Sequence, residues 1–155
     1  MADKTFFHIL MHIGRLLERI TTEELRALNL HHGQGRLLVT LQRCGSITQA
    51  NLARGMDIKP ATLTNMIKPL EKRNLIVKSP DPITNRAVVV KLTTEGENLA
   101  HAVKMKWATI EQTLQDTLIK NNGEDLLLQL EAFRNISGGC DPVFITHNLK
   151  EDNND

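Results

Sequence analysis

Cysteine is scarce in this chain of 155 residues: Cys44 and Cys140 are the only two, they lie far apart, and they match neither a disulfide framework nor a Cys-x-x-Cys zinc or redox motif. Both read as reduced thiols, with Cys44 at the end of an apolar helix as a small hydrophobe. Long apolar runs are also missing. No stretch approaches the ~20 residues of a membrane span, and Phe6 to Ile20 carries His8, His12, Arg15, Glu18 and Arg19, which excludes a secretory leader there. A cytoplasmic protein with no membrane association is expected. There is no Gly-rich phosphate loop, no nucleophile motif and no acid–base pair at workable spacing, so enzymatic chemistry is not expected. With 41% hydrophobic residues, the chain can bury one core, or one core plus a helical extension shared with a partner.

Net charge is small, at +1, but unevenly distributed. Residues 54–91 hold eight Lys and Arg against three Asp and Glu, whereas residues 92–155 hold five against eleven. A basic segment is the electrostatic footprint of phosphate contact, because each neutralised phosphate releases condensed counterions. The acidic last third argues against nucleic acid running along it.

The basic segment coincides with one block, Ile47 to Gly96, that reads as short helix, turn, second helix, hairpin and the start of a third helix. Before it, Phe6, Ile9, Leu10, Ile13, Leu16, Leu17 and Ile20 recur at three-then-four spacing and form one stripe of a helix over about 5–28. A second helix is expected from roughly Gly35 to Arg43, ending at Gly45, followed by a short extended Ser46-Ile47. Thr48 is an N-cap candidate for Gln49 to Arg54, Gly55 to Ile58 makes the turn, and Pro60 opens the next helix where a missing N–H does no harm. In that helix, to Arg73, Leu63, Ile67 and Leu70 face inward while Thr62, Thr64, Asn65, Lys68 and Lys72 point out. Pro69 lacks the N–H that would bond the Asn65 carbonyl, which predicts a kink or tightened turn near Asn65.

Asn74 then turns the chain into strands over 75–79 and 87–92, with Val88, Val90 and Leu92 expected on the core face. A long helix from Thr94 to about Asn121 places Leu99, Val103, Trp107, Ile110, Leu114 and Leu118 on one stripe. Asn122-Gly123 interrupts it, and Glu124 to Ile136 forms a last helix. The first and last helices carry more apolar surface than the small central unit can cover. A homodimer solves this and presents two recognition helices one DNA turn apart, roughly 34 Å.

In order and spacing, Ile47-Thr48-Gln49-Ala50-Asn51-Leu52-Ala53, Ala61-Thr62-Leu63-Thr64, Leu70-Glu71-Lys72-Arg73-Asn74-Leu75-Ile76, Asp81-Pro82 with Arg86-Ala87, and Leu92-Thr93-Thr94-Glu95-Gly96 resemble the MarR family of bacterial transcription regulators. The resemblance covers about residues 5–137. It implies a mainly α fold with a small β-hairpin wing (α+β): a winged helix-turn-helix with N- and C-terminal dimerisation helices. It implies one domain over 1–137, with a DNA-binding lobe at 35–93 and dimerisation helices at 5–28 and 94–137, then a tail at 138–155 whose last residues are expected to be disordered. Function would be that of a ligand-responsive repressor, binding a palindromic double-stranded DNA operator as a homodimer. The rival reading is a winged-helix protein-interaction module that has lost DNA binding.

Carried over by position, the DNA-contacting set comprises Thr48, Pro60, Ala61, Thr62, Thr64, Asn65, Lys68, Lys72, Arg73, Asn85 and Arg86. Their chemistry agrees: threonine offers a hydroxyl to phosphate and a methyl to thymine, and Asn reads the adenine edge. A wing arginine suits the negative potential of the minor groove. Arg86 could instead pair with Asp81. The wing departs from the family pattern, ending Thr84-Asn85-Arg86 where Asp-Arg-Arg or Asp-x-Arg is usual, which implies a weaker grip and a shallower salt dependence.

Ligand pockets in the family lie between the DNA-binding lobe and the dimer helices. By that analogy His8, His12, Arg15, His31, His32 and Arg36 are candidates for holding a small aromatic or carboxylated effector. His8 and His12, four apart, could also share a metal, but no Cys or Glu stands at ligand spacing, so neither metal nor cofactor is expected. Peroxide-sensing relatives place a cysteine in the first helix near tyrosines. This chain has no tyrosine and no cysteine there.

Overall fold

A computed structural model describes residues 5–83, 86–119 and 123–138. Six helices and three strands follow in the order α1 (Phe6–Leu25), α2 (His32–Cys44), β1 (Ile47–Thr48), α3 (Gln49–Gly55), α4 (Pro60–Lys72), β2 (Ile76–Pro80), β3 (Val88–Leu92), α5 (Thr94–Ile119) and α6 (Gly123–Ile136), with a 3-10 turn at Arg26–Leu28 after α1. No helix among the described residues is long and apolar enough to cross a membrane. The expectations placed on Thr84, Asn85, Asn122, Cys140 and the apolar Val143-Phe144-Ile145 fall outside the described residues.

α2 begins three residues before its expected start. His31 caps it: its Nδ1 accepts from the Gln34 N–H at 3.4 Å, and the Gln34 side-chain oxygen accepts from the His31 N–H at 3.3 Å. This reciprocal pair does the work usually given to Ser or Thr with Glu or Gln. The helix ends at Gly45, whose φ of 69° and ψ of −125° suit glycine. Between these ends Gly35 lets α2 press onto α1 and α5. A side chain there would collide with Leu25 and meet Trp107 and Val103.

The wing is broader than a hairpin. Ser46-Ile47 does not stay an isolated extended piece: β1 joins β3, giving a three-stranded antiparallel sheet in the order β1-β3-β2, with Ile47 opposite Val90 and Ile76 opposite Leu92. This central position of β3 changes its burial pattern. Val90 is fully buried, Val89, opposite Thr48 and Ser79, is also buried, and Val88 is 43% exposed. Val88 was expected on the core face, but it lies opposite Pro80 at the outer end of the sheet and stays exposed.

One apolar cluster ties the lobe together. Leu37, Leu38 and Leu41 of α2, Leu52 of α3, Leu63, Ile67 and Leu70 of α4, Ile76 and Val90 of the sheet, and Val103 of α5 are all sealed from solvent. α4 buries only its Leu63–Ile67–Leu70 face and continues without interruption through Pro69, which sits on the exposed side. The outer helices differ from the lobe. Leu25 is the only buried residue of α1, while Phe6 is 81% and Phe133 of α6 61% exposed. A Lys106–Glu24 ion pair of 3.4 Å links α5 to α1.

Candidate nucleic-acid interface

Thr48 starts the site as the N-cap of α3, its hydroxyl accepting from the Asn51 N–H at 3.3 Å. Gly55 completes α3, so the left-handed residue of the following turn is Asp57, at φ 53°. Aspartate is one of the few residues besides glycine that tolerate this geometry. The turn is closed by the Asp57 N–H donating to the Arg54 carbonyl at 3.1 Å and the Ile58 N–H to that of Ala53 at 3.0 Å. α4 leaves the turn with Lys59 at its N-cap and Pro60 in its first turn. Its buried face fixes its rotation about the core. Ala61, Thr62, Thr64, Asn65, Lys68 and Lys72 are therefore exposed together.

The wing closes beside this helix. The Asp81 N–H donates to the Ala87 carbonyl at 2.9 Å, and the Asp81 carboxylate accepts from the Ile83 N–H at 3.0 Å. Arg86, exposed, borders an open cleft of about 400 Å³ with Gln49, Lys78, Ser79 and Pro80. A second cleft of about 290 Å³ runs from Thr48 and Ala50 to Pro60, Leu63 and Thr64. Gln49, Ala87 and Val88 line both, so the two form one furrow between wing and helix. Lys78 pairs with Glu71 at 2.8 Å. Lys59, Lys68, Lys72 and Arg86 form no ion pair among the described residues, and the alternative Arg86–Asp81 pair is absent from them.

Not every residue of the sequence-derived set offers its polar group to this furrow. The Thr48 hydroxyl caps α3, and that of Thr64 donates to the Pro60 carbonyl at 3.0 Å. Arg73 donates from Nη1 to the Asn29 carbonyl at 2.8 Å and from Nη2 to that of Leu28 at 3.1 Å. Asn85 lies outside the described residues. Gln49 and Lys59 join the surface without having been expected there. Their sequence signal was weak, since one is an uncharged helix starter and the other an ordinary surface lysine.

The expected effector residues fall into two groups. His8, His12 and Arg15 lie along the exposed first half of α1 and form no hydrogen bond with the others among the described residues. His31, His32 and Arg36 lie on the first turns of α2, each already engaged. His31 is the cap described above. His32 Nδ1 meets the Thr21 hydroxyl at 2.8 Å, and that hydroxyl also lies 2.8 Å from the Leu17 carbonyl. Its ring is tilted against Trp107 of α5, centroids 6.1 Å apart. Burial holds the His32 pKa below its ordinary value of 6.5; Glu18 pushes it up, and Arg36 and His31 push it down. The indole N–H of Trp107 is buried without a partner among the described residues. Arg36 Nη2 donates to the Met56 carbonyl at 2.7 Å. Half-buried Cys44 has its thiol pKa raised by burial, opposed by Arg43. No three His, Cys, Asp or Glu side chains among the described residues stand close enough to share a metal ion.

The profile of the MarR family matches residues 30–88, which spans α2, the helix-turn-helix and β2 and ends at the first residue of β3. The helix-turn-helix regulator YhbI of Bacillus subtilis is 29% identical over 104 residues, 67% of this chain and 68% of its own. The multiple antibiotic resistance protein MarR of Escherichia coli is 26% identical over 137 residues, covering 84% of this chain and 93% of its own. Residues 30–88 thus match the MarR family, and the chain is similar to these regulators over most of its length. Its fold is that of the S. aureus MepR–DNA complex, with a TM-score of 0.76 at 23% identity over 88% of this chain and 99% of that one. The correspondence in fold includes the helices outside the winged unit, since it extends well beyond the 59 residues of the profile match.

Proposed function

We propose that the protein is a sequence-specific, double-stranded DNA-binding transcription repressor that acts as a homodimer, in the cytoplasm and without catalysis. One observation carries the reading: α4 exposes Thr62, Asn65, Lys68 and Lys72 on a single face beside a furrow bordered by Arg86, and these cations have no acidic partner among the described residues. A convex helix with hydroxyl, amide and ammonium groups suits the major groove, and an arginine beside it suits the minor groove. Ala61 and Pro60 shape the leading end of that helix. The lobe 35–93 would bind DNA, while 5–28 and 94–137 would hold two copies together.

Dimerisation follows from the outer helices. Phe6, Phe7, Leu10 and Met11 of α1 with Leu126, Leu130 and Phe133 of α6 line an apolar groove of about 660 Å³. Apolar surface of this extent on a small chain is the signature of a protein interface. For the effector, the unpartnered Trp107 N–H beside His32 favours a small ligand carrying a hydrogen-bond acceptor, such as an aromatic acid, at the meeting of α1, α2 and α5.

The test is selection of bound sequences from a random duplex pool, followed by affinity against salt. A two-fold palindrome is expected. Lys68→Ala and Arg86→Ala should each lower the salt slope by about two per dimer, roughly one for each phosphate that is no longer neutralised. Absence of a consensus with slopes unmoved by both substitutions would favour the protein-interaction module.

A further inference from the structure

Two arginines donate into the carboxyl ends of helical segments other than their own. Arg73 reaches from the end of α4 to the carbonyls of Leu28 and Asn29, at 3.1 and 2.8 Å. Arg36 reaches from α2 to the carbonyl of Met56, just past α3, at 2.7 Å. Helix carboxyl ends carry carbonyls with no partner inside the helix and partial negative charge, so a guanidinium is well matched there. The donors and acceptors are themselves held. Asn74, at φ 54°, reverses the chain after Arg73, with the Leu75 N–H bonded to the Leu70 carbonyl at 3.0 Å. Asn29, at φ 53°, does the same after the 3-10 turn, with the Leu30 N–H bonded to the Leu25 carbonyl at 3.2 Å.

We infer that Arg73 is a positioning residue rather than a phosphate contact: with Arg36 it straps the two helices of the DNA-reading unit to the corner between α1 and α2, and so sets the angle of α4 relative to α1. Arg36 holds the turn that leads into α4, and Arg73 holds the end of α4. Between the two straps α4 cannot swing about its buried Leu63–Ile67–Leu70 face without breaking a charged hydrogen bond at one end. α1 carries the apolar face assigned above to the dimer contact. The straps therefore connect the spacing of two recognition helices to the interface that pairs them, a step that rests on the DNA-binding reading.

The experiment uses the full chain and three variants, Arg73→Gln, Arg73→Lys and Lys68→Ala, the last as the phosphate-contact control. In DNA-free protein, amide exchange at Asn29 and Leu30 should accelerate by about tenfold in both Arg73 variants while the Leu41 amide is unchanged, because the strap holds a local turn and not the core. On the duplex recovered by selection, or on random-sequence duplex at low salt, both Arg73 variants should bind on the order of fivefold more weakly with the wild-type salt slope. Lysine keeps the charge but not the two-pronged donor. Lys68→Ala should lower the slope. Unchanged exchange at Asn29 and Leu30 would overturn the inference. So would an Arg73→Lys protein that binds like wild type while Arg73→Gln loses both affinity and slope, since that is how a phosphate contact behaves. Wild-type protein that binds no duplex would defeat the DNA reading, and the exchange measurement would still decide the strap.

Discussion

Replacing Gly96 by alanine should destabilise the protein by roughly 3 kcal/mol, although alanine is the better helix former. Gly96 lies in the first turn of α5, where Thr93 binds the long helix to the wing. The Thr93 N–H donates to the Leu75 carbonyl at 3.1 Å, its hydroxyl donates to the Asn74 carbonyl at 2.7 Å, and the Gly96 N–H donates back to that hydroxyl at 3.0 Å. A Cβ on Gly96 would overlap the Leu75 carbonyl oxygen, the same atom that accepts from Thr93, and would press on Leu92 Cδ2 at 3.2 Å. The obstacle is backbone, so no rotamer change relieves it. Overpacking costs about 1–3 kcal/mol, the weakened cap about 1 and the stretched backbone bond about 1. Alanine's helix propensity returns about 1. Urea unfolding at fixed protein concentration, needed because dimerisation would couple to stability, measures the difference. A native stability of about 5–15 kcal/mol makes a 3 kcal/mol loss plain. A loss below about 1 kcal/mol, or a gain, would show that α5 can move off the wing at little cost, and would refute this account of the junction.

Two further outcomes follow from the cap of α3 and from His32. Thr48→Ala should cost about 1 kcal/mol, and Thr48→Asn should retain most of it, since either side-chain oxygen can accept from the Asn51 N–H; equal losses in the two variants, read by thermal unfolding, would count against the cap. His32 is half-buried and its pKa lies below the ordinary 6.5, chiefly through burial, so the unfolded chain binds its proton more readily, and the stability it contributes is full above 6.5 and declines as pH falls below it. The stability difference between wild type and His32→Gln should therefore be flat above pH ~7 and move against wild type below ~6.5; a pH-independent difference would refute it.

Most of the elements were legible because each rests on local rules. The stripe in α1, the Thr48 cap, Pro60 in the first turn of α4 and the Leu63–Ile67–Leu70 face all stand where spacing and side-chain chemistry predict. The start of α2 was missed because imidazole is an uncommon capping acceptor, although Gln34 three residues on was a clue. The third strand was missed because two residues carry no periodicity. Ile47-Thr48 is a strand only because Val89-Val90, some forty residues later, supplies its partners. The same long-range pairing explains why Val89 is buried and Val88 is not.

The candidate site divides in the same way. Residue type and helical phase alone were enough to put Thr62, Thr64, Asn65, Lys68 and Lys72 on one exposed face, because the apolar positions of a single helix fix which side is left for solvent. Side-chain bonding across the fold lay beyond that reach. Arg73 and Lys72 are adjacent basic residues with the same local signal, yet one is committed to carbonyls more than forty positions earlier and the other is exposed with no ion pair among the described residues. Arg36 looked like a ligand-binding cation and is bonded to the turn of the helix-turn-helix. Periodicity and caps act within a few residues, so the sequence by itself determined the helices, their inner faces and the basic segment. Which cation is bonded to backbone carbonyls and which is left exposed without an ion pair depends on acceptors brought close only by packing, and the tertiary structure alone decided that.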